Sequence, residues 1–233
     1  MQQIYGKHGF FRFSSGESRG LRGLRSGETG ISTVGRVLEV ARRELQTKDR
    51  GRQRVLYGVL ADESAKVPFI SGVAREELTR NSVVALENVP VKRWKELPTL
   101  YVGASANLHV LGTDIEFPSF AELNKPRMMQ IGELLCGDGA FDVLIEAAVV
   151  STSTPAENSP GERMVRVDDG TGVLALIVRD RADEELIRFG MGLRVRGNAI
   201  CSGGGCVFMA EAVKEQSAAI LIQAMQSFLC RYT

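Results

Sequence analysis

A tryptophan stands among three cations in the stretch Val91-Lys92-Arg93-Trp94-Lys95-Glu96-Leu97, and it is the only tryptophan in the chain. An indole face accepts flat π-bearing groups, while ammonium and guanidinium groups hold anions. A second cationic run lies upstream. Residues 42–54 carry Arg42, Arg43, Lys48, Arg50, Arg52 and Arg54 against Glu44 and Asp49, with Tyr57 just beyond. Rings interleaved with cations are the chemistry that holds an unpaired nucleic-acid strand. The cations release counterions from phosphates, and each base stacked on a ring is worth about 1–3 kcal/mol. Trp94 has two readings, a stacking face or a ring that caps the mouth of a barrel. Tyr57 is a candidate second platform. The 42–54 run is either one wall of a cationic groove or a solvated hairpin tip.

Other chemistries find little support. The cysteines Cys136, Cys201, Cys206 and Cys230 form no Cys-x-x-Cys pair, and His8 and His109 have no acidic or thiol companion at a metal-binding spacing. Cys201 and Cys206 bracket Ser-Gly-Gly-Gly and could face each other across a hairpin. Reduced, buried thiols are the expectation for the set. Ser202-Gly203-Gly204-Gly205-Cys206 lacks the Gly-Lys-Ser/Thr ending of a phosphate loop. Asp168-Asp169 and Glu184-Glu185 fall at turns or on helix surfaces, where solvation accounts for them. With no nucleophile–base–orienter set, neither catalysis nor a cofactor is expected. The start, MQQIYGKHGFFRF, has no apolar stretch long enough for a signal peptide or a membrane span. The expected setting is cytoplasmic and nucleoid-associated.

Net charge is +1 over 233 residues, so the whole chain has no basic excess. Residues 1–30 nevertheless carry five Lys/Arg against two acids, and residues 118–233 carry eleven against fifteen. The basic residues gather toward the N-terminal half.

The elements that must position Trp94 are strands. Residues 1–30 are rich in Gly, Ser and Arg and read as a basic flexible arm, in which Arg19, Arg22 and Arg25 recur every three residues. From residue 31 the pattern is β. TVGRVLEVARREL is a first strand with Gly35 as a bulge site. RVLYGVLAD and KVPFISG form a hairpin, AREEL (74–78) a helical turn, SVVALENV a fourth strand and TLYVG (99–103) a fifth. The order repeats about 107 residues later, where DDGTGV (168–173) aligns with ADESAKV (61–67).

Five short strands with a small helix between the third and fourth is the plan of the OB-fold barrel. The fold expected is all-β, two tandem OB-fold barrels with a C-terminal α-helix. The boundaries expected are 1–30 arm, 31–117 first barrel, 118–138 linker with helical character, 139–215 second barrel and 216–233 helix. In the third strand Val67 and Phe69 point inward, while Pro68, Ile70 and Gly72 line a shallow outer platform with an open place at Gly72.

The residues Gly58, Leu60, Asp62, Glu63, Val67, Pro68, Phe69, Asn88, Trp94, Pro98, Leu100 and Gly103, in that order, resemble the DNA-binding OB domains of archaeal replication protein A. The resemblance covers 31–111 by motif and 139–215 by strand order. It implies single-stranded DNA as partner, in replication, repair or recombination. The family usually carries a base-stacking Trp where this chain has Gly72.

The second unit lacks the cationic and aromatic set. Its first connection, TSTPAENSPGE, is slightly acidic, and Leu174, Leu176 and Val178 are expected on the outer side of its third strand. That points to a structural or assembly module. The tail EQSAAILIQAMQSFL follows helical spacing. It either plugs its own barrel or bundles with partner subunits through Leu221, Ala224, Met225 and Phe228, as the resemblance to trimeric replication protein A implies. Two other functions stay open, a scaffold subunit whose DNA is held mainly by partners, and an OB module for structured RNA.

Overall fold

The computed structural model describes residues 5–6, 9–10, 13, 18–47, 51–112, 115–152, 163–179, 187–203, 205–216 and 226. Of 5–6, 9–10, 45–47 and 51–53 it describes the backbone alone. The chain divides into two units, Met1–Lys125 and Pro126–Thr233. The expected C-terminal helix, with Leu221, Ala224, Met225 and Phe228, falls outside the described residues.

In the first unit, β1 (Tyr5–Gly6) and β2 (Gly9–Phe10) pair with each other. The principal strands are β3 (Ile31–Thr47), β4 (Gly51–Ala61), β5 (Lys66–Ser71) and β6 (Val83–Val89), followed by β7 (Val91–Trp94), β8 (Leu97–Tyr101) and β9 (Asn107–Leu111). They form one sheet in the order β7-β8-β5-β4-β3-β6-β9. The stretch 97–111 serves twice, pairing parallel with β5 through β8 and antiparallel with β6 through β9. The sheet thereby curls around a core that holds Val37, Leu60, Phe69, Val84, Leu86 and Leu100.

The pleat sets which side chains enter that core. Val67 and Phe69 point inward as the alternation predicts. Gly58 lies directly opposite Phe69, where a Cβ would clash with the Glu39 carbonyl oxygen and meet the phenyl ring at 2.5 Å. The outer side of β3, β6 and β9 is covered as well, with Val34, Val83, Ala85 and Leu111 packing against Phe13, Ile115 and Phe117.

In the second unit, β10 (Arg127–Met128) and α2 (Ile131–Leu135) precede β11 (Ala140–Thr152), β12 (Arg163–Asp168), β13 (Val173–Val178), β14 (Gly192–Ser202) and β15 (Gly205–Glu215). Their order β11-β12-β13-β15-β14 closes on itself through a β11–β14 ladder, giving a five-stranded barrel. Its third and fifth strands run parallel, as do β5 and β8 in the first unit.

A shared device explains much of the repeat. Asp62, in the β4–β5 turn, accepts the Ser64 and Ala65 amides and also the Leu21 amide at 2.8 Å, while Ser64 Oγ accepts the Arg22 amide. Asp169, in the β12–β13 turn, accepts the Thr171 and Gly172 amides and the Ile131 amide at 2.7 Å, while Thr171 Oγ accepts the Gly132 amide. Each turn therefore clamps the start of a short helical segment, Leu21–Gly23 in 3-10 form or α2. Those segments insert Leu21 and Leu24, or Ile131 and Leu134, as buried plugs into their cores.

Several expectations are corrected. Residues 18–30 are built onto the first unit and do not form a flexible arm. Besides the two plugs, Gly27 and Glu28 exchange backbone bonds with Val91, and Arg19 pairs with Glu28 at 2.8 Å. The stretch 118–138 contributes to both units, through α1 (Phe120–Leu123) in the first and α2 in the second. Residues 74–78 make turns without a helix and drop Leu78 into the core. The β3 register shifts lie between Ile31 and Thr33 and between Val37 and Glu39, flanking Gly35, which packs against Leu60. Cys201 and Cys206 are directly opposite in the β14–β15 hairpin and form a disulfide, and Cys136 is exposed, so these three are not reduced buried thiols.

Candidate nucleic-acid interface

The rings gather on the outer side of β4, β5 and β8, where the strand residues between them, Val59, Pro68, Ile70 and Thr99, are buried, so the exposed platform expected at Pro68 and Ile70 is not found. One row crosses this side, with Tyr57 opposite Ile70 and Ile70 opposite Tyr101. Tyr57 and Tyr101 are half-buried and Ile70 is buried between their strands.

Trp94 reaches this face from the end of β7. The stretch Val91–Leu97 is a β-hairpin in which Trp94 pairs with Leu97 across Lys95-Glu96. Both turn residues have positive φ, 48° and 63°, the backbone of a two-residue type I′ turn. Such turns favour Asn and Gly, and ordinary side chains held there cost about 1–2 kcal/mol per residue. Arg93 bonds back to the Glu96 carbonyl at 2.9 Å and braces the tip. Trp94 is half-buried and outside the core, and its ring centroid lies 5.1 Å from that of Tyr57, tilted by 53°. The aromatic pair thus joins the β3–β4 hairpin to the β7–β8 hairpin.

Cations surround the rings. Arg43 lies over Tyr57 at 5.7 Å, Lys95 over Trp94 at 4.7 Å and Lys92 over Tyr101 at 4.2 Å. All three cations are exposed, and among the described residues no carboxylate pairs with them. A cation over an exposed ring gains about 0.5–1 kcal/mol, little enough for an incoming phosphate to draw it away.

The other predicted residues sort by strand phase. Arg42 and Arg43 are neighbours on β3 and so point to opposite faces of the hairpin. Arg42 lines a groove of about 600 Å³ with Leu56, Val73, Arg75 and Leu78, on the side away from Tyr57. Arg54 also lines that groove and pairs with Glu44 at 3.4 Å. The Arg52 backbone pairs with Gln46, its side chain lies outside the description, and Lys48 and Arg50 lie outside the described residues. Of the predicted set, Arg43, Tyr57, Lys92, Trp94 and Lys95 are brought to one face.

Sequence reasoning missed Tyr101. The open place expected at Gly72 is taken by its phenol, since a Cβ on Gly72 would lie 3.1 Å from the Tyr101 hydroxyl. Alternation along β8 puts Tyr101 on the outer side, opposite in phase to the inward Leu100. Its position over Gly72 depends on the β5–β8 pairing, which no local pattern reveals.

The corresponding face of the second unit is built differently. Leu174, Leu176 and Val178, expected outside, are at most 1% exposed and belong to the core. The outward set on β13 is Val173, Ala175 and Ile177, beside Met164 on β12 and Val207 and Met209 on β15. Outward cations on β14 are matched to carboxylates, Arg194 with Glu146 and Arg196 with Asp142 at 2.5 Å. The Asp142 bond raises the Arg196 pKa against the lowering effect of burial.

No family model and no curated protein matches the chain. Solved structures do. Fission yeast Pot1, in a crystal structure with single-stranded DNA, aligns over 94% of this chain and 95% of its own at TM-score 0.57 and 10% identity. A replication protein A heterotrimer bound to single-stranded DNA aligns over 92% of this chain and 54% of its own, at TM-score 0.37 and 15% identity. An OB domain from Thermoplasma acidophilum aligns over 43% of this chain and 92% of its own, at TM-score 0.38 and 20% identity. The Pot1 likeness establishes a shared fold and, at that identity, nothing more specific. Among the described residues no helix is long and apolar enough to cross a membrane.

Proposed function

We propose that both units are OB-fold barrels and that the first binds single-stranded DNA without catalysis, in the manner of replication protein A, during replication, repair or recombination. One observation carries this reading. The Tyr57–Trp94 pair joins two hairpins on a face where Arg43, Lys92 and Lys95 have no carboxylate partner among the described residues. Rings supply base stacking of low sequence preference, and cations supply counterion release. Non-Gly residues at positive φ are held at the tip that carries Trp94, and such strain clusters at functional sites.

The test is a salt series with labelled oligothymidine, read by fluorescence anisotropy. Affinity falls linearly with salt on logarithmic axes, with a slope of about −0.7 per phosphate contacted. Binding that is absent at low salt, or indifferent to salt, ends the reading. A parallel series with oligouridine shows whether the 2′-hydroxyl matters.

A second reading rests on the second unit. Its outward aliphatic strip, with Met164 51% and Val173 42% exposed, suits a protein partner better than a nucleotide. Under that reading the chain is a scaffold subunit, and residues 216–233 take part in assembly with other subunits. Deleting 216–233 separates the two. A scaffold loses its complex, and a DNA binder keeps its oligothymidine affinity.

A further inference from the structure

We infer that Tyr101 is a third ring of the single-strand interface and that Gly72 lacks a side chain because the Tyr101 phenol occupies that space. This inference rests on the DNA-binding reading of the first unit.

The ring has a built seat. Two glycines flank it, one at each strand end. A Cβ on Gly72 would approach the hydroxyl to 3.1 Å, and one on Gly103 would meet the ring edge at 3.6 Å. The floor beneath is tied together. Ser71 Oγ lies 2.8 Å from both the Val102 and the Val73 carbonyl oxygens, with one proton shared between them, and the Val102 amide donates to the Ile70 carbonyl at 2.8 Å. The ends of β5 and β8 therefore hold a fixed spacing under the ring, which limits the conformational entropy lost when a base lands on it.

Position and charge agree with the role. Tyr101 is two strands from Tyr57 along the Tyr57–Ile70–Tyr101 row, so the rings stand about 10 Å apart across the sheet. A strand that stacks on Tyr57 and Trp94 meets Tyr101 next if it crosses β5. Lys92, 4.2 Å above the ring and exposed, is placed to take the phosphate of the nucleotide that displaces it. Tyr101 is half-buried, and none of the core clusters includes it.

The experiment compares Tyr101→Ala, Tyr101→Phe and Gly72→Leu in the full chain, by oligothymidine anisotropy over a salt series. Tyr101→Ala is expected to weaken binding about 5- to 150-fold without changing the salt slope, because it removes a stacked base and no charge. Tyr101→Phe stays within about twofold, since the ring face remains. Gly72→Leu pushes the ring from its seat and weakens binding like Tyr101→Ala, although residue 101 is untouched. Wild-type binding that Tyr101→Ala leaves unaltered overturns the inference while the DNA-binding reading stands. Failure of the wild type to bind removes that reading, and the inference with it. Should circular dichroism show Tyr101→Ala unfolded, photocrosslinking wild type to 5-iodouracil-substituted oligothymidine decides. A crosslink on the peptide containing Tyr101 supports the inference, and crosslinks confined to other peptides overturn it.

Discussion

The two units share a scaffold and differ on the face that scaffold exposes. Asp62 with Ser64 and Asp169 with Thr171 make the same turn, accept the same pair of amides and fix the same kind of plug. On the outer side of β4, β5 and β8 in the first unit stand Tyr57, Trp94 and Tyr101 with cations above them. On the same side of the second unit stand Met164, Ala175 and Ile177, and its β14 arginines are already bonded to carboxylates. The fold is therefore set by a few buried polar anchors and inward apolar residues, which repeat. The outward positions are where the two units differ in chemistry.

If that division is right, substitutions in the shared device behave alike in both units. Asp62→Ala and Asp169→Ala each strip several amide donors of their carboxylate acceptor, and each is expected to destabilise its own unit by about 2–3 kcal/mol. Urea unfolding measures both. A large loss at one site and none at the other would show that the resemblance between the turns is superficial.

Substitutions on the exposed faces should separate the units. Trp94→Ala and Tyr57→Ala are each expected to cost about 1–3 kcal/mol in oligothymidine binding. Met164→Ala, at the place in the second unit that matches Tyr57, and Ile177→Ala beside it leave affinity unchanged in the same anisotropy titration.

A smaller effect is expected from charge. Removing Arg43, Lys92 or Lys95 singly should reduce the salt slope by about 0.7, one phosphate contact for single-stranded DNA. Arg194→Ala in the second unit leaves the slope alone, because that cation is already paired with Glu146.

The smallest effect concerns the first unit's plug segment. Burial raises the Glu28 pKa, but the bonds from Arg19 and the Arg25 amide outweigh it and hold the carboxyl below its ordinary range. A depressed folded-state pKa stabilises the fold above the unfolded value and loses that contribution as pH falls through the folded one. The stability gap between wild type and Glu28→Gln should thus be small at neutral pH and vanish in acid below the carboxylate range. A gap that widened in acid would reverse the sign.

Much of this was legible in the sequence. Alternation placed Val67 and Phe69 inside, and the Asp-Asp-Gly turn revealed the repeat. Trp94 and Tyr57 stood out because aromatic residues are scarce in polar, cationic surroundings. What could not be read depended on long-range partners or on ambiguous phase. Leu21 and Leu24 are isolated apolar residues in a Gly- and Arg-rich stretch, and their anchor Asp62 lies 41 residues away in sequence. VLALIV is apolar at every position, so periodicity alone cannot choose between Leu174-Leu176-Val178 and Val173-Ala175-Ile177. Pairing with β12 and β15 makes that choice. The β7–β8 tip escaped notice because Lys95-Glu96 is not a sequence that favours positive φ.

Because Trp94 is the sole tryptophan, its emission reports directly on the face in question. Titrating the full chain with a short oligothymidine at low salt should quench that emission in step with the anisotropy of the DNA, and added salt should restore it. DNA that binds while Trp94 emission stays constant would place the ligand elsewhere on the molecule and contradict the account.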